Sequence, residues 1–414
     1  MKQLIADHIT NAEKLESLYR QNKQDFANYF AEVAGYQDSD LIRFWKIRLA
    51  SDKEPETNSI RFADLAAIIV ISLITGMLVK LPHIFDQINE EWFYMRNLAI
   101  LVFNGLIVYT FWQNRFSDWK KLSVYGFVVA VLLTFVNLLP SPEGHSVIIA
   151  FIHVPLLLWC MFGLAWLSFD YKNVDKKISF IRFNGELLIM TGLILLAGGL
   201  LSGVTIGLFS VIGKDIAEFY GENIAIFGAV AAPVLSFYLI NLYPNLTSKI
   251  APVIARVFTP LVLITLVIYL VSLVFLESKI LEDRDLLILF NVMLIAVMAI
   301  IVFSISELNK SKFSKANVLI LFILAVVTII INTIALIAII TRVVEGLTPN
   351  RTVVLVTNVL IFANLILITK DLFKTCRQPD HLHTVEKTVA RYLTVYFAWT
   401  LVAIFILPFV FGFE

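Results

Sequence analysis

The stretch that decides the fold is RFNGELLIMTGLILLAGGLLSGVTIGLFSVI, residues 182–212. Its apolar part is longer than the roughly 20 residues that a helix needs to cross a bilayer. Its glycines recur on one helical stripe, and such a stripe lets two helices approach closely in lipid. The spacing therefore predicts a glycine ridge on a central transmembrane helix, formed by Gly192, Gly199, Gly203 and Gly207. The alternative is that these glycines are only tolerated, because glycine is common in membrane helices.

The composition of the whole chain is that of a membrane protein. Of its 414 residues, 59% are hydrophobic and 16% are charged, whereas soluble proteins carry nearer a quarter charged residues. The mean hydropathy is +0.82. The formal net charge of +1 gives no overall attraction to nucleic acid. Cys160 and Cys376 predict no disulfide framework, and the polar amino terminus lacks the apolar core of a cleavable signal peptide.

Apolar runs of span length recur along the chain after residue 60. They predict an all-α polytopic membrane protein with about eleven transmembrane helices, bundled over residues 61–414. Residues 1–60 are polar with a helical apolar period, which predicts a small helical region in the cytoplasm or at the membrane interface. The predicted spans are 62–81, 93–112, 122–139, 146–168, 183–212, 222–243, 250–275, 285–306, 316–341, 352–370 and 390–411.

Charges in the loops predict the orientation of this bundle. Lysine and arginine concentrate before the first span and in the second, fourth, eighth and tenth loops. The loops between them are neutral, acidic or balanced, apart from a sixth loop that is too short to contribute. Because positively charged loops stay inside, the amino terminus is predicted in the cytoplasm and the carboxyl terminus outside.

Three ionisable residues lie near the cytoplasmic ends of predicted spans: Asp64, Glu186 and Arg256. A charge in hydrocarbon needs a partner or a water-filled cavity. The three therefore predict one ion cluster that holds three helices in register, or the lining of a vestibule open to the cytoplasm. The alternative is that each side chain extends separately to the interface.

Six polar residues lie deeper than the outer loops, on six different spans. They predict either hydrogen bonds between helices or an outward-facing polar cavity for a solute or a lipid headgroup. His153 is the best single candidate for proton or ligand binding, because the nearby Pro155 would free a backbone carbonyl. The six are Asn104, Asn137, His153, Asn291, Asn332 and Asn358.

The loop TRVVEGLTPNR, residues 341–351, is the most motif-like stretch of the chain. Gly346 and Pro349 suit a tight turn between two helices. Arg342 and Arg351 lie on either side of the turn, at the predicted outer face. Two arginines beside a helix start could hold an anionic headgroup or phosphate. The alternative is a capped helical hairpin with an Arg–Glu pair.

This loop resembles the GLT-x-x-R signature of a bacterial family of multi-pass membrane proteins. That family is known only as a domain of unknown function, numbered four-one-five-three, and the matching positions are Gly346, Leu347, Thr348 and Arg351. The stretch 243–273 is similar to the family as well, with a basic residue and then a Pro-Leu start to a long helix. The resemblance implies a protein of the bacterial inner membrane. It implies no known activity, so it assigns no catalytic residue.

Other chemical signals in the sequence are weak. No Walker A, zinc-protease, serine-hydrolase or dinucleotide-binding motif occurs in a workable context. One loop contains Cys376, His381, His383 and Glu386, but their spacing matches no zinc pattern. We therefore predict no cofactor, no metal site and no nucleic-acid partner. Membrane lipids are the predicted partners, with a partner protein possible at the amino-terminal helices and the oligomeric state left open.

Three classes of function remain open. A transporter or lipid-handling protein would explain polar groups on many spans. A sensor or assembly component would bind a partner through its amino-terminal helices and have a solidly packed bundle. A membrane enzyme would need a converging cluster, such as His153 with Arg342 and Arg351. We favour the first class, because a pathway most readily explains the cost of polar groups in lipid.

Overall fold

The structure of the protein is a computed structural model. Its regular elements are all helical in the described part of the chain, which confirms the predicted fold class. By contacts between residues, the chain divides into two compact units, Met1–Arg61 and Phe62–Glu414. The structure describes residues 2–35, 39–52, 62–140, 144–211, 214–244, 255, 259–264, 266–268, 270–271, 284–308, 315–378 and 381–413.

The amino-terminal unit has a hydrophobic core of its own. Trp45 is buried, with ring centroids 5.4 Å from Tyr19 and 5.0 Å from Phe26. The Arg48 guanidinium covers the Trp45 ring at 4.8 Å and pairs with Glu16 at 2.6 Å. The apolar residues that recur at helical spacing in this region therefore pack against one another, inside the unit. Its helices are α1 (Lys2–Asp7), α2 (Ala12–Gln21), α3 (Lys23–Ala34) and α4 (Asp40–Asp52).

In the membrane unit, nine of the described helices are long and apolar enough to cross a bilayer. Shorter apolar helices, Thr259–Ile268 and Asn291–Ser306, occupy the described parts of the two remaining predicted spans. A polytopic helical protein is thus confirmed, and a total of eleven spans stays a prediction. In chain order the helices are α5 (Phe62–Val79), α6 (Leu81–Ile84), α7 (Glu90–Gln113), α8 (Trp119–Leu138), α9 (His145–Trp166), α10 (Val174–Val211), α11 (Ala217–Tyr220), a π-helical turn (Gly221–Ala225), α12 (Ile226–Leu242), α13 (Thr259–Ile268), α14 (Arg284–Ser306), α15 (Lys315–Val344), α16 (Pro349–Arg377), α17 (Leu382–Phe405) and α18 (Leu407–Val410).

The membrane unit packs around two hydrophobic cores, and α10 contributes to both. Phe183 of α10 joins a core that includes Phe237 of α12. Ile181, on another face of α10, joins a core that includes Leu324 of α15 and Leu365 of α16. The amino-terminal half of α10 is therefore an element that the two parts of the bundle share, and α17 contributes to both cores as well.

The carboxyl-terminal half of α10 is different. The helix has 38 residues, about 57 Å at 1.5 Å per residue, which exceeds the roughly 30 Å of a hydrocarbon core. No described residue of α10 after Leu187 is buried. The central position predicted for residues 182–212 therefore holds for residues 182–187 among the described ones.

No described neighbour fills the space beside the predicted glycine ridge. Outside the adjoining residues of α10, no described atom lies within 4 Å of a Cβ built at Gly192, Gly199, Gly203 or Gly207. Close helix contacts occur at glycines that the spacing did not select, because a side chain of a neighbouring helix, a phenylalanine in three of the four cases, points at each of them. The four pairs are Gly76 with Phe227, Gly105 with Thr75, Gly163 with Phe180 and Gly185 with Phe303.

Candidate functional site

A buried carboxyl group lies at the end of the bundle where α10 and α14 meet. The close approach at Gly185 brings the first turns of α10 beside Glu307, the residue that follows α14. The side chain of Glu307 is only 7% exposed. Arg182 and Glu186 of α10 both interact with it. We call Arg182, Glu186 and Glu307 the Arg–Glu cluster.

Arg182 holds this cluster together. Its Nε lies 3.5 Å from Oε1 of Glu307 and donates to the carbonyl of Ser306 at 3.1 Å. A second N–H of the same guanidinium donates to that carbonyl as well. The cation thus sits at the carboxyl end of α14, where the helix dipole favours positive charge. Oε1 of Glu307 is buried and accepts no hydrogen bond from a described residue.

Burial raises the pKa of Glu307 to about 7. The nearby Arg182 guanidinium opposes this increase in pKa, and the Glu186 carboxylate adds to it. A carboxyl group with such a pKa gains and loses a proton near physiological pH, as coupling and catalytic carboxyls do. The cluster can therefore change its charge under conditions in which ordinary glutamates stay ionised.

The pKa of Glu307 predicts how the stability of the protein depends on pH. The folded-state pKa, about 7, lies above the ordinary value of 4.5, so the proton-linked stabilisation is complete below 4.5 and is lost as pH rises through 7. We expect a loss on the order of 3 kcal/mol across this window. Thermal unfolding in detergent should show this slope for the wild type and a flatter profile for Glu307→Gln. Glu91→Gln, at an exposed glutamate of α7, should keep the wild-type slope; equal slopes for all three proteins would contradict the assignment.

Two members of the predicted ion cluster of Asp64, Glu186 and Arg256 lie within the described residues. Glu186 interacts with Glu307, which the sequence analysis did not select. Asp64, at the start of α5, accepts a hydrogen bond from Nε1 of Trp112 at 3.3 Å. Arg256 lies outside the described residues. The signal for Glu307 was its position as an acid directly after an apolar span and before a loop that contains three lysines, in the sequence ELNKSKFSK.

Two of the outer asparagines connect α7 with α8. The hydroxyl of Tyr125 donates to Oδ1 of Asn104. Asn137 and Asn97 exchange two side-chain hydrogen bonds, at 3.0 Å and 2.8 Å. A reciprocal amide pair satisfies both side chains within the bundle. These contacts are hydrogen bonds between helices, one of the two predicted roles.

Three other asparagines meet where α14, α15 and α16 pack. Nδ2 of Asn358 donates to Oδ1 of Asn291 at 2.8 Å. Nδ2 of Asn332 donates to the backbone carbonyl of Asn358 at 3.2 Å. Asn332 and Asn358 are both buried. Here too the polar groups link helices, and the sequence could not show that these three would converge.

His153 is buried in α9. Its Nδ1 lies 2.8 Å from the carbonyl of Ile149, which can only accept, so Nδ1 carries the hydrogen. The ring meets Trp399 of α17 edge-on, with centroids 6.3 Å apart. These contacts hold the ring between α9 and α17.

The GLT-x-x-R loop forms the capped hairpin that was one of its two predicted structures. The Arg351 guanidinium donates to the carbonyls of Arg342 at 2.5 Å and Gly346 at 2.8 Å, and lies 3.5 Å from a carboxylate oxygen of Glu345. The Thr348 hydroxyl accepts from the Arg351 backbone N–H at 3.4 Å. Gly346 has φ +154°, which a side chain rarely permits. The motif residues thus close the turn between α15 and α16.

Two polar clusters were not predicted from the sequence. In the first, Arg96 is buried and donates to three backbone carbonyls at the carboxyl end of α8. The visible signal was an arginine inside the second predicted span. In the second, His83 of α6 lies 3.0 Å from the Tyr94 hydroxyl and 3.8 Å from a carboxylate oxygen of Glu222 in the π-helical turn. Nothing in the sequence pattern paired these residues.

No protein-family model, no curated protein and no solved structure matches this chain. Membership of the family that the hairpin motif resembles therefore stays a prediction.

Proposed function

We propose that the chain is a multi-pass protein of the bacterial inner membrane that transports or otherwise handles a small solute or lipid, with Glu307 exchanging a proton during its cycle. The charges of the loops support an amino terminus in the cytoplasm and a carboxyl terminus outside. With that orientation, Glu307 lies at the cytoplasmic end of the bundle. The resemblance of the hairpin supports the bacterial location.

The observation that carries the proposal is the burial of Glu307 beside Arg182 and Glu186. An ionisable group withheld from water in a membrane bundle is costly, and such groups commonly mark ion or proton pathways. The position of the Arg–Glu cluster in the bundle supports the proposal as well. α10 packs against α12 of one core, against α14 of the other, and against α17, which contributes to both. A change of charge at Glu307, beside Arg182 and Glu186 of α10, therefore acts where the two parts of the bundle meet, as coupling sites in transporters do.

Charge movement in proteoliposomes tests this function. A jump from about pH 8 to about pH 6 crosses the titration of Glu307, and solid-supported membrane electrophysiology records the charge that then moves. We expect a transient current for the wild type, its loss in Glu307→Gln, and its retention in the exposed control Glu91→Gln. A panel of small solutes and lipid headgroup analogues, added in turn, should include one that changes this current. A wild type without any current after the pH jump would refute proton coupling.

A partner-binding protein is the second candidate function. The observation in its favour is that the outer asparagines are hydrogen-bonded between helices, as in a solidly packed bundle. The amino-terminal unit, with its own core, would then bind the partner. Under this function, deletion of residues 1–52 abolishes assembly with the partner, and the pH jump moves no charge.

A further inference from the structure

The outer face of α4 has an unusual composition for a surface helix. Phe44 and Ile47 are 55% and 64% exposed. They lie three residues apart, so they share one side of the helix. Arg43 and Lys46 are exposed on the same side. Ile42, with Trp45, faces the core of the unit instead, so α4 carries apolar residues on both of its faces.

The two cations on this face are not used inside the unit in the way that Lys2 and Arg48 are. Lys2 pairs with an acid at 2.7 Å, and Arg48 pairs with another at 2.6 Å. Lys46, by contrast, donates to the backbone carbonyl of Gly35, at 3.3 Å. Neither Lys46 nor Arg43 forms an ion pair with an acid among the described residues. The face thus presents two large apolar side chains beside two cations that no described acid pairs with.

We propose that this face of α4, formed by Arg43, Phe44, Lys46 and Ile47, docks on the anionic headgroup surface of the membrane that the chain crosses. Helices that lie in the membrane–water interface combine aromatic and aliphatic side chains with lysine and arginine. The apolar side chains enter the boundary of the acyl chains, and the cations contact anionic headgroups. An apolar protein groove would fit Phe44 and Ile47, but it would leave the two cations without a complement.

The covalent chain places α4 within reach of that surface. Only residues 53–61 separate α4 from Phe62, where the first span begins. Even fully extended, a segment of this length covers about 30 Å. The positive-inside orientation puts this side of the membrane in the cytoplasm, where the leaflet is anionic. This docking is independent of proton exchange at Glu307.

Depth-dependent quenching in nanodiscs tests the docking on the full-length protein. In a background of Cys160→Ala and Cys376→Ser, Ile47→Cys receives an environment-sensitive fluorophore, and Glu13→Cys, exposed on α2, provides the matched control. Spin-labelled lipids should quench the label at position 47 in discs that contain phosphatidylglycerol, and quench it much less in pure phosphatidylcholine. The label at position 13 should stay unquenched in both lipids.

Charge variants complete the test. Arg43→Glu with Lys46→Glu should reduce quenching at position 47 to the level of position 13, whereas Arg43→Lys with Lys46→Arg should retain it. Equal quenching at both positions, or none at position 47 in either lipid, would overturn the proposal. Photocrosslinking from position 47 to a protein in native membranes, without quenching by lipid, would also overturn it and assign the face to a protein partner.

Discussion

Gly185→Leu should destabilise the protein more than any other single substitution in α10. A Cβ at this position would overlap the ring of Phe303, and leucine adds three further carbons at the contact between α10 and α14. Overpacking of a fitted contact typically costs 1–3 kcal/mol, and a direct overlap of this kind should cost more than about 3 kcal/mol. Thermal unfolding of the solubilised protein measures the loss. Because the same contact positions Glu307, the variant should also lose the pH-dependent slope.

Gly203→Leu is the matched control on the same helix. Nothing described lies within 4 Å of its Cβ position, and leucine has a higher helix propensity than glycine by somewhat less than about 1 kcal/mol. We therefore expect unchanged or slightly increased stability. Gly185→Ala combined with Phe303→Ala should recover part of what Gly185→Ala loses, because the smaller side chain removes the overlap. Equal losses at positions 185 and 203, or no recovery in the double variant, would disprove the assigned contact.

Arg96→Met should produce the second large loss of stability. The Arg96 guanidinium is buried and donates to the carbonyls of Val136 at 2.8 Å, Leu139 at 3.1 Å and Pro140 at 2.9 Å. It also lies 4.9 Å from the ring of Phe151 of α9. Methionine fills similar space but leaves buried carbonyls without a donor. A buried polar group left without its hydrogen-bond partner costs about 1–3 kcal/mol, and with three carbonyls affected we expect a loss on the order of 3 kcal/mol in thermal unfolding.

Two further variants separate the hydrogen bonds of Arg96 from its charge. Arg96→Lys keeps the charge but cannot span three carbonyls with a planar fork, so it should recover only part of the stability. Arg377→Met removes an exposed arginine whose guanidinium lies 4.3 Å from the Phe373 ring, and it should cost less than about 1 kcal/mol. If Arg96→Met cost no more than Arg377→Met, the capping role of Arg96 would be wrong.

The hairpin shows how far a motif can be interpreted before the structure is known. The sequence predicted a tight turn at Gly346 and two uses for Arg351, an anion site or an Arg–Glu pair. Arg351 donates to carbonyls nine and five residues earlier, so these hydrogen bonds lie within the turn itself. A capped hairpin was therefore one of the two structures that could be predicted for this loop. The Arg–Glu cluster was harder to predict from the sequence. Glu186 was selected as an ionisable residue at a span boundary, but its neighbour Glu307 is more than a hundred residues away in sequence.

The asparagines show the same limit. Their depth within the spans predicted hydrogen bonds between helices as one of two roles. Which asparagines would meet depends on the rotation of each helix about its axis, and a change of one residue turns a side chain by about 100°. Asn291, Asn332 and Asn358 converge because three helices present the right faces at one level. No pattern within a single span contains that information.

By itself, the sequence determined that this chain is a helical membrane protein, where most of its spans lie, and which residues are ionisable near their ends. Those properties are local, because transfer of a helix into lipid depends on its own side chains and its own backbone hydrogen bonds. Only the tertiary structure decided that α10 is shared by two cores through its first half, that Gly185 rather than the glycine ridge meets a neighbour, and that Glu307 is buried beside Arg182. Such contacts depend on which helices become neighbours, since packing in lipid is decided by the fit of facing side chains rather than by their hydrophobicity.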